Sequence, residues 1–171
     1  TAWMRQFAVV FGTSELAIAT VLAAYMAGLA GGSWAAGRLV HRVRRLVLTY
    51  GVLEFTIAAG ALLVPLGLEG ARWLLVHWLG GQPAPPDAGG WRQPAVYVAA
   101  TFAILAIPTA CMGAALPLLT RHAVHRSEQI GRRVGLLYAM NTLGAVAGTI
   151  VAGFLLLPHL GLLRTTLCGV A

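Results

Sequence analysis

The stretch ELAIATVLAAYMAGLAGGSWAAG, residues 15–37, decides the fold. After Glu15 it holds no charged side chain until Arg38. A helix needs about 20 consecutive, mainly apolar residues to cross the hydrocarbon core of a bilayer, and the apolar stretch at 13–37 supplies them. It ends in RLVHRVRR, residues 38–45, a dense basic loop of the kind that stops a span at the water.

The same pattern repeats along the chain. A second stretch covers about 46–68, with Glu54 inside it and Pro65 near its end. A third covers about 94–119 and contains Pro108 and Pro117, which predict kinks. A fourth covers about 134–157 and stops at Pro158, and a fifth begins near Leu162 and is cut at Ala171. Residues 71–79 read as a short amphipathic helix with Trp73 and Trp78. The Pro- and Gly-rich run at 80–90 then forbids regular structure, before Trp91 introduces the next span. The expected fold class is all-α: a polytopic transmembrane helix bundle forming a single domain over 1–171. It has four complete spans, a truncated fifth and a loop at 69–93 outside the membrane.

Composition agrees. Hydrophobic residues make up 58% of the chain and charged residues 10%, against about 25% charged in a soluble domain. There are too few polar side chains to clothe a soluble surface of this size, a need that lipid removes. The net charge is +7 and every basic residue other than histidine is arginine. These arginines sit at the ends of apolar stretches, which argues for membrane topology over nucleic-acid binding. The segments 38–45 and 121–133 hold eight of the twelve arginines and are separated by two spans, so they are predicted on one side, the cytoplasmic one. The turn at 158–161 and the loop at 69–93 then lie outside. Residues before the first full span, including Arg5, fall outside as well, which predicts an excerpt with an earlier span upstream of Thr1. Residues 3–11 would be an interfacial segment continuing from it.

Several residues stand out against the apolar background. Gly28 and Gly32 form a GxxxG pair, Ser33 and Gly37 a second small pair, and Gly144, Gly148 and Ala152 recur at intervals of four. Small residues at this spacing let helix backbones approach closely in lipid. Glu54 is the most informative polar group, because a carboxyl within a span faces a bundle interior or a wet cavity. Its two readings are a cation-binding or proton-binding group and a structurally hydrogen-bonded one. Asn141 is a second intramembrane polar group, suited to interhelical bonding or to ligand contact. Glu15, near a membrane end, is the weakest member of this candidate set and reads as a first-turn helix residue. Cys111 and Cys168 are far apart and read as small buried hydrophobes. His41, His122 and His125 lie in the basic segments, His77 in the amphipathic segment and His159 in a turn. None is placed at mid-span, so no axial haem ligand is expected. No metal site, cofactor motif, nucleotide loop or hydrolase signature is visible, and no catalytic residue is proposed from these residues.

Four runs carry a family resemblance. Residues 20–33 (TVLAAYMAGLAGGS) with Gly37-Arg38, residues 50–54 (YGVLE), residues 112–119 (MGAALPLL) and residues 131–145 (GRRVGLLYAMNTLGA) resemble, in order, the membrane region of bacterial membrane-bound spermidine synthase-like proteins. The resemblance covers nearly the whole chain. It implies a bundle similar to half of a major facilitator transporter, placed in the bacterial inner membrane ahead of a soluble aminopropyltransferase-like domain. It also implies one helix before Thr1. His41 stands about where those transporters carry an Asp in the loop after the second helix, a departure from their gating pattern. The family's catalytic aspartates and glycine-rich loop have no counterpart in these residues. The function expected from the resemblance is to anchor such a domain, or to bind or move a polyamine or another amine. Two alternatives are a structural accessory subunit of a larger respiratory or photosynthetic complex and a half-transporter that dimerises. The expected partners are membrane lipids, other transmembrane helices or subunits, and possible polyamine ligands.

Overall fold

The structure is a computed structural model that describes residues 2–11, 15–79, 92–123 and 130–170. Every element among them is helical. Helix α1 (Ala2–Phe11) leads to α2 (Glu15–Leu39), which tightens into a 3₁₀ turn at Val40–Arg42. Helices α3 (Leu46–Leu79) and α4 (Arg92–Ala123) follow, then α5 (Ile130–Ile150), a π-helical stretch over Val151–Leu156, and α6 (Leu157–Val170). The expected loop at 80–90, Trp91, and the middle of the second basic segment at 124–129 lie outside the described residues.

Four stretches are long and apolar enough to cross a membrane: Glu15–Arg42, Leu46–His77, Pro94–Ala123 and Gly131–Val170. They are also turned inside out relative to a soluble bundle. Only 6% of the most apolar window of Leu46–His77 is buried, and large side chains such as Phe55, Leu66, Ile107, Leu143 and Phe154 point outward. In water such a surface would aggregate; in lipid it is the solvated face.

Helix α4 is the axle of the bundle, with α2 and α3 packed against it. The α2–α4 contact is made by small residues. Gly28 faces Thr109, Gly32 lies directly on the Ala110 backbone, and Gly113 lies on the Leu29 backbone, so closely that a β-carbon at any of the three would overlap its neighbour. The Ser33 hydroxyl donates to the Gly113 carbonyl at 2.7 Å and locks the same contact. On its α3 side, α4 places Pro108 against Gly60 and Ile104 against Gly67.

Two side-chain clusters complete the core. Phe7, Val21, Ala24, Val64, Leu68, Ala71, Leu75, Tyr97 and Leu105 fill the half that contains α1. Ala36, Val40 and Leu118, with Leu46, Leu53 and Ala114 against them, fill the basic end. Helix α6 returns to α1, where Gln6 Nε2 donates to the Thr166 hydroxyl at 3.5 Å.

The short amphipathic helix expected at 71–79 is not a separate element. It is the last part of α3, which runs on from Leu46 to Leu79. Val64, Leu68, Ala71 and Leu75 form one buried stripe at helical spacing across the expected boundary, and a helix in lipid has no other partners for its backbone groups. Helix α4 likewise passes through Pro108 and Pro117 as one element. Thr109, next to Pro108, returns its hydroxyl to the Leu105 carbonyl at 2.6 Å. Over 158–161, where a turn is expected, Gly161 leaves helical space with φ 73° and ψ 179°.

The two basic segments lie at one end of the bundle. Arg121, at the end of α4, donates to the Val43 carbonyl of the α2–α3 connection at 3.3 Å. Arg133, at the start of α5, donates to the Ala123 carbonyl at the end of α4. At this end Arg38 also stacks on Trp34 at 4.0 Å, and at the far end of α3 His77 stacks on Trp73 at 4.4 Å.

Candidate functional site

Glu54 sits about 12 Å along the axis from the Leu46 end of α3 at the usual helical rise of about 1.5 Å per residue. It lies beside the space that opens where α5 stands off from the tightly packed α2, α3 and α4. A cavity of about 400 Å³ fills that space, and Glu54, Tyr50, Ser33, Gly113, Leu137 and Asn141 are among its lining residues. Each of the four transmembrane helices α2 to α5 therefore contributes. The volume falls within the range of small-molecule sites, roughly 300–1,000 Å³.

The polar groups are held by different means. Ser33 is fixed by its bond to the Gly113 carbonyl, which uses its hydrogen and leaves oxygen lone pairs free to accept. Tyr50 lies one turn before Glu54 on the same face of α3 and lines the same cavity. Asn141 comes from α5, whose face around it is exposed. Among the described residues no arginine or histidine side chain forms an ion pair with Glu54. The described residues also gather no group of three or more His, Cys, Asp or Glu side chains. The cavity thus offers one carboxyl with neutral oxygens around it.

Glu54, Ile57 and Met112 also line a second cavity of about 710 Å³, bounded further by Gly148, Val151 and Ala152 on one side and Thr165, Thr166 and Cys168 on the other. The π-helical stretch contributes to this wall, a conformation often found beside functional sites. Glu54 stands where the two spaces adjoin.

Of the three polar candidates, the structure brings Glu54 and Asn141 together and leaves Glu15 apart. Glu15 is exposed in the first turn of α2. There its charge faces the positive end of the helix dipole. Among the packing glycines, Gly28 and Gly32 are interfacial. Gly144 and Gly148 are not packed: both are exposed, with nothing within 4 Å of a β-carbon added there, because α5 makes few contacts with the rest of the bundle. Gly148 borders the larger cavity instead. Cys168, expected to be buried, is exposed, while Cys111 is half-buried. Sequence reasoning missed Tyr50 and Ser33 as parts of the site. A spacing of four between Tyr50 and Glu54 is the one signal that points to the first of them.

Comparison of the chain with known protein families, with curated proteins and with solved structures gives no match.

Proposed function

We propose that this chain is an integral membrane domain that binds an organic cation, of the amine class, at Glu54. The observation that carries this reading is the convergence of Glu54 and Asn141, from α3 and α5, on one cavity with Ser33 and Tyr50. An ammonium group has three N–H donors and no acceptor. The ionised Glu54 carboxylate, the Asn141 carbonyl and the lone pairs of Ser33 answer those donors. A charge inside a span is costly unless paired, so the carboxylate and a bound amine stabilise one another. The apolar walls at Ile57 and Met112 suit the methylene part of an alkyl amine. The resemblance to spermidine synthase-like membrane regions supports a polyamine as the natural cargo and an anchoring role for a soluble domain. The same resemblance supports the bacterial inner membrane, and the positive-inside rule supports residues 38–45 and 121–133 in the cytoplasm.

A second reading, as a subunit of a larger membrane assembly or as one half of a dimeric transporter, is favoured by the open small-residue face at Gly144 and Gly148 on α5. The test that separates the readings uses the full chain in proteoliposomes with radiolabelled spermidine and methylamine. The wild-type chain retains or takes up label, and Glu54→Gln lowers this by at least about tenfold, the effect of roughly 1.4 kcal/mol. Equal behaviour of wild type and Glu54→Gln removes the amine reading and leaves the assembly reading.

A further inference from the structure

The basic end carries a feature that the Glu54 cavity does not use. A cleft of about 650 Å³ lies between the end of α4 and the start of α5, and its lining includes Ala123, Arg132, Arg133, Leu136 and Leu137. The two arginines differ in what they do. Arg133 is turned back to the Ala123 carbonyl and ties the helices together. Arg132 is exposed.

The face of α5 that begins at Arg132 continues at intervals of four, four and three through Leu136, Met140 and Leu143, which are 63%, 63% and 64% exposed. Residues at this spacing stack along one side of a helix. The cleft therefore has a cation at its mouth and an exposed apolar track leading from it toward the middle of the span. Among the described residues of segments 38–45 and 121–133 the charge has one sign: seven arginines and no acid. The Arg121–Val43 bond brings the two segments to the same end.

We propose that this cleft is a site for an anionic phospholipid, with Arg132 paired to the lipid phosphate and an acyl chain lying along Leu136, Met140 and Leu143. A guanidinium matches two phosphate oxygens at once. A free phosphate ion uses the arginine and ignores the track, whereas a phospholipid uses both, and this length of matched apolar surface favours the lipid. Basic sites between transmembrane helices at the membrane surface bind anionic headgroups on the same principle.

The test reconstitutes the full chain in phosphatidylcholine with a trace of spin-labelled phosphatidylglycerol or spin-labelled phosphatidylcholine, and reads the motionally restricted fraction of each by electron paramagnetic resonance. The wild type prefers the anionic label. Arg132→Gln reduces that preference by about fivefold, the effect of one surface arginine, and Arg132→Lys keeps part of it. Leu136→Gln retains all the charge and still weakens the preference, which covers the case in which loss of Arg132 disturbs folding. The double variant Arg44→Gln/Arg45→Gln, which removes more charge at the same end but outside the cleft, leaves it largely intact. The proposal is overturned if the wild type shows no preference. It is also overturned if Arg44→Gln/Arg45→Gln loses as much as Arg132→Gln, which makes the effect diffuse, or if 10 mM inorganic phosphate displaces the restricted label, which makes the site one for the free ion.

Discussion

Substituting Gly32 by alanine tests the architecture where it is tightest. The added β-carbon lies 2.6 and 2.7 Å from the carbonyl carbon and Cα of Ala110, and those are backbone atoms that cannot swing away. Carbon atoms pack at about 3.5–4.0 Å, so α2 and α4 must part by about 1 Å. That gap weakens the neighbouring contacts at Gly28 and Gly113. It also stretches the Ser33–Gly113 bond, 2.7 Å at present, beyond hydrogen-bonding range. Overpacking of this kind costs about 1–3 kcal/mol and a lost interhelical hydrogen bond in lipid about 0.6 kcal/mol, while alanine returns about 0.5–1 kcal/mol through helix propensity. The expected net destabilisation is about 2 kcal/mol, or a fall in Tm of about 4–8 °C. Gly31→Ala is the matched control. It is the adjacent residue on the same helix, with nothing within 4 Å of the added carbon, and it should be neutral or stabilise by up to about 1 kcal/mol. Thermal unfolding of both variants in detergent, followed by circular dichroism and tryptophan fluorescence, decides the matter. Equal melting temperatures for Gly31→Ala and Gly32→Ala would refute the packing of α2 on α4 described above.

Two further outcomes follow from the same geometry. In a background carrying Cys111→Ser and Cys168→Ser, the variants Arg44→Cys and His122→Cys should react with a membrane-impermeant maleimide from one side of sealed vesicles and His77→Cys from the other, since α3 separates its two ends by about 50 Å; labelling of all three from one side sinks the arrangement of spans. Gly161→Ala should destabilise by about 1–3 kcal/mol in the same melting assay, because φ 73° with ψ 179° is a region nearly reserved for glycine; Gly144→Ala, also with free space around it but in an ordinary helical stretch, should not.

The spans, their basic ends and the pairing of Gly28 with Gly32 are legible in the sequence because lipid imposes length and charge rules that one chain reveals. Glu54 and Asn141 stand out for the same reason, as polar groups that an apolar span tolerates only for cause. Which face of each helix turns inward is far less legible. In a soluble bundle the inward face is apolar and the outward face polar, so periodicity exposes it. In α3, Leu68 and Leu75 are buried while Leu66 is 64% exposed, and all three are leucines. This is why the stripe that carries α3 past Leu68 to Leu79 is invisible in the sequence, and why Gly144 and Gly148, with the same spacing as Gly28 and Gly32, lie on an open face. Gly113 and Ser33 gain their roles only from the carbonyl each meets on another helix, which no local pattern encodes.

The position of α4 between α2 and α3 has a consequence for how the molecule is made. Its two partners enter the bilayer first, and the close contacts they present, Gly28 and Gly32 on one and Gly60 and Gly67 on the other, are shaped for a helix that has not yet been synthesised. At about 5–20 residues per second, the ribosome needs on the order of 2–9 seconds to pass from the end of α3 to the end of α4. Through that interval two spans wait side by side in lipid with their binding faces vacant. The nascent chain is most open to mispairing and to quality control then, before α4 arrives.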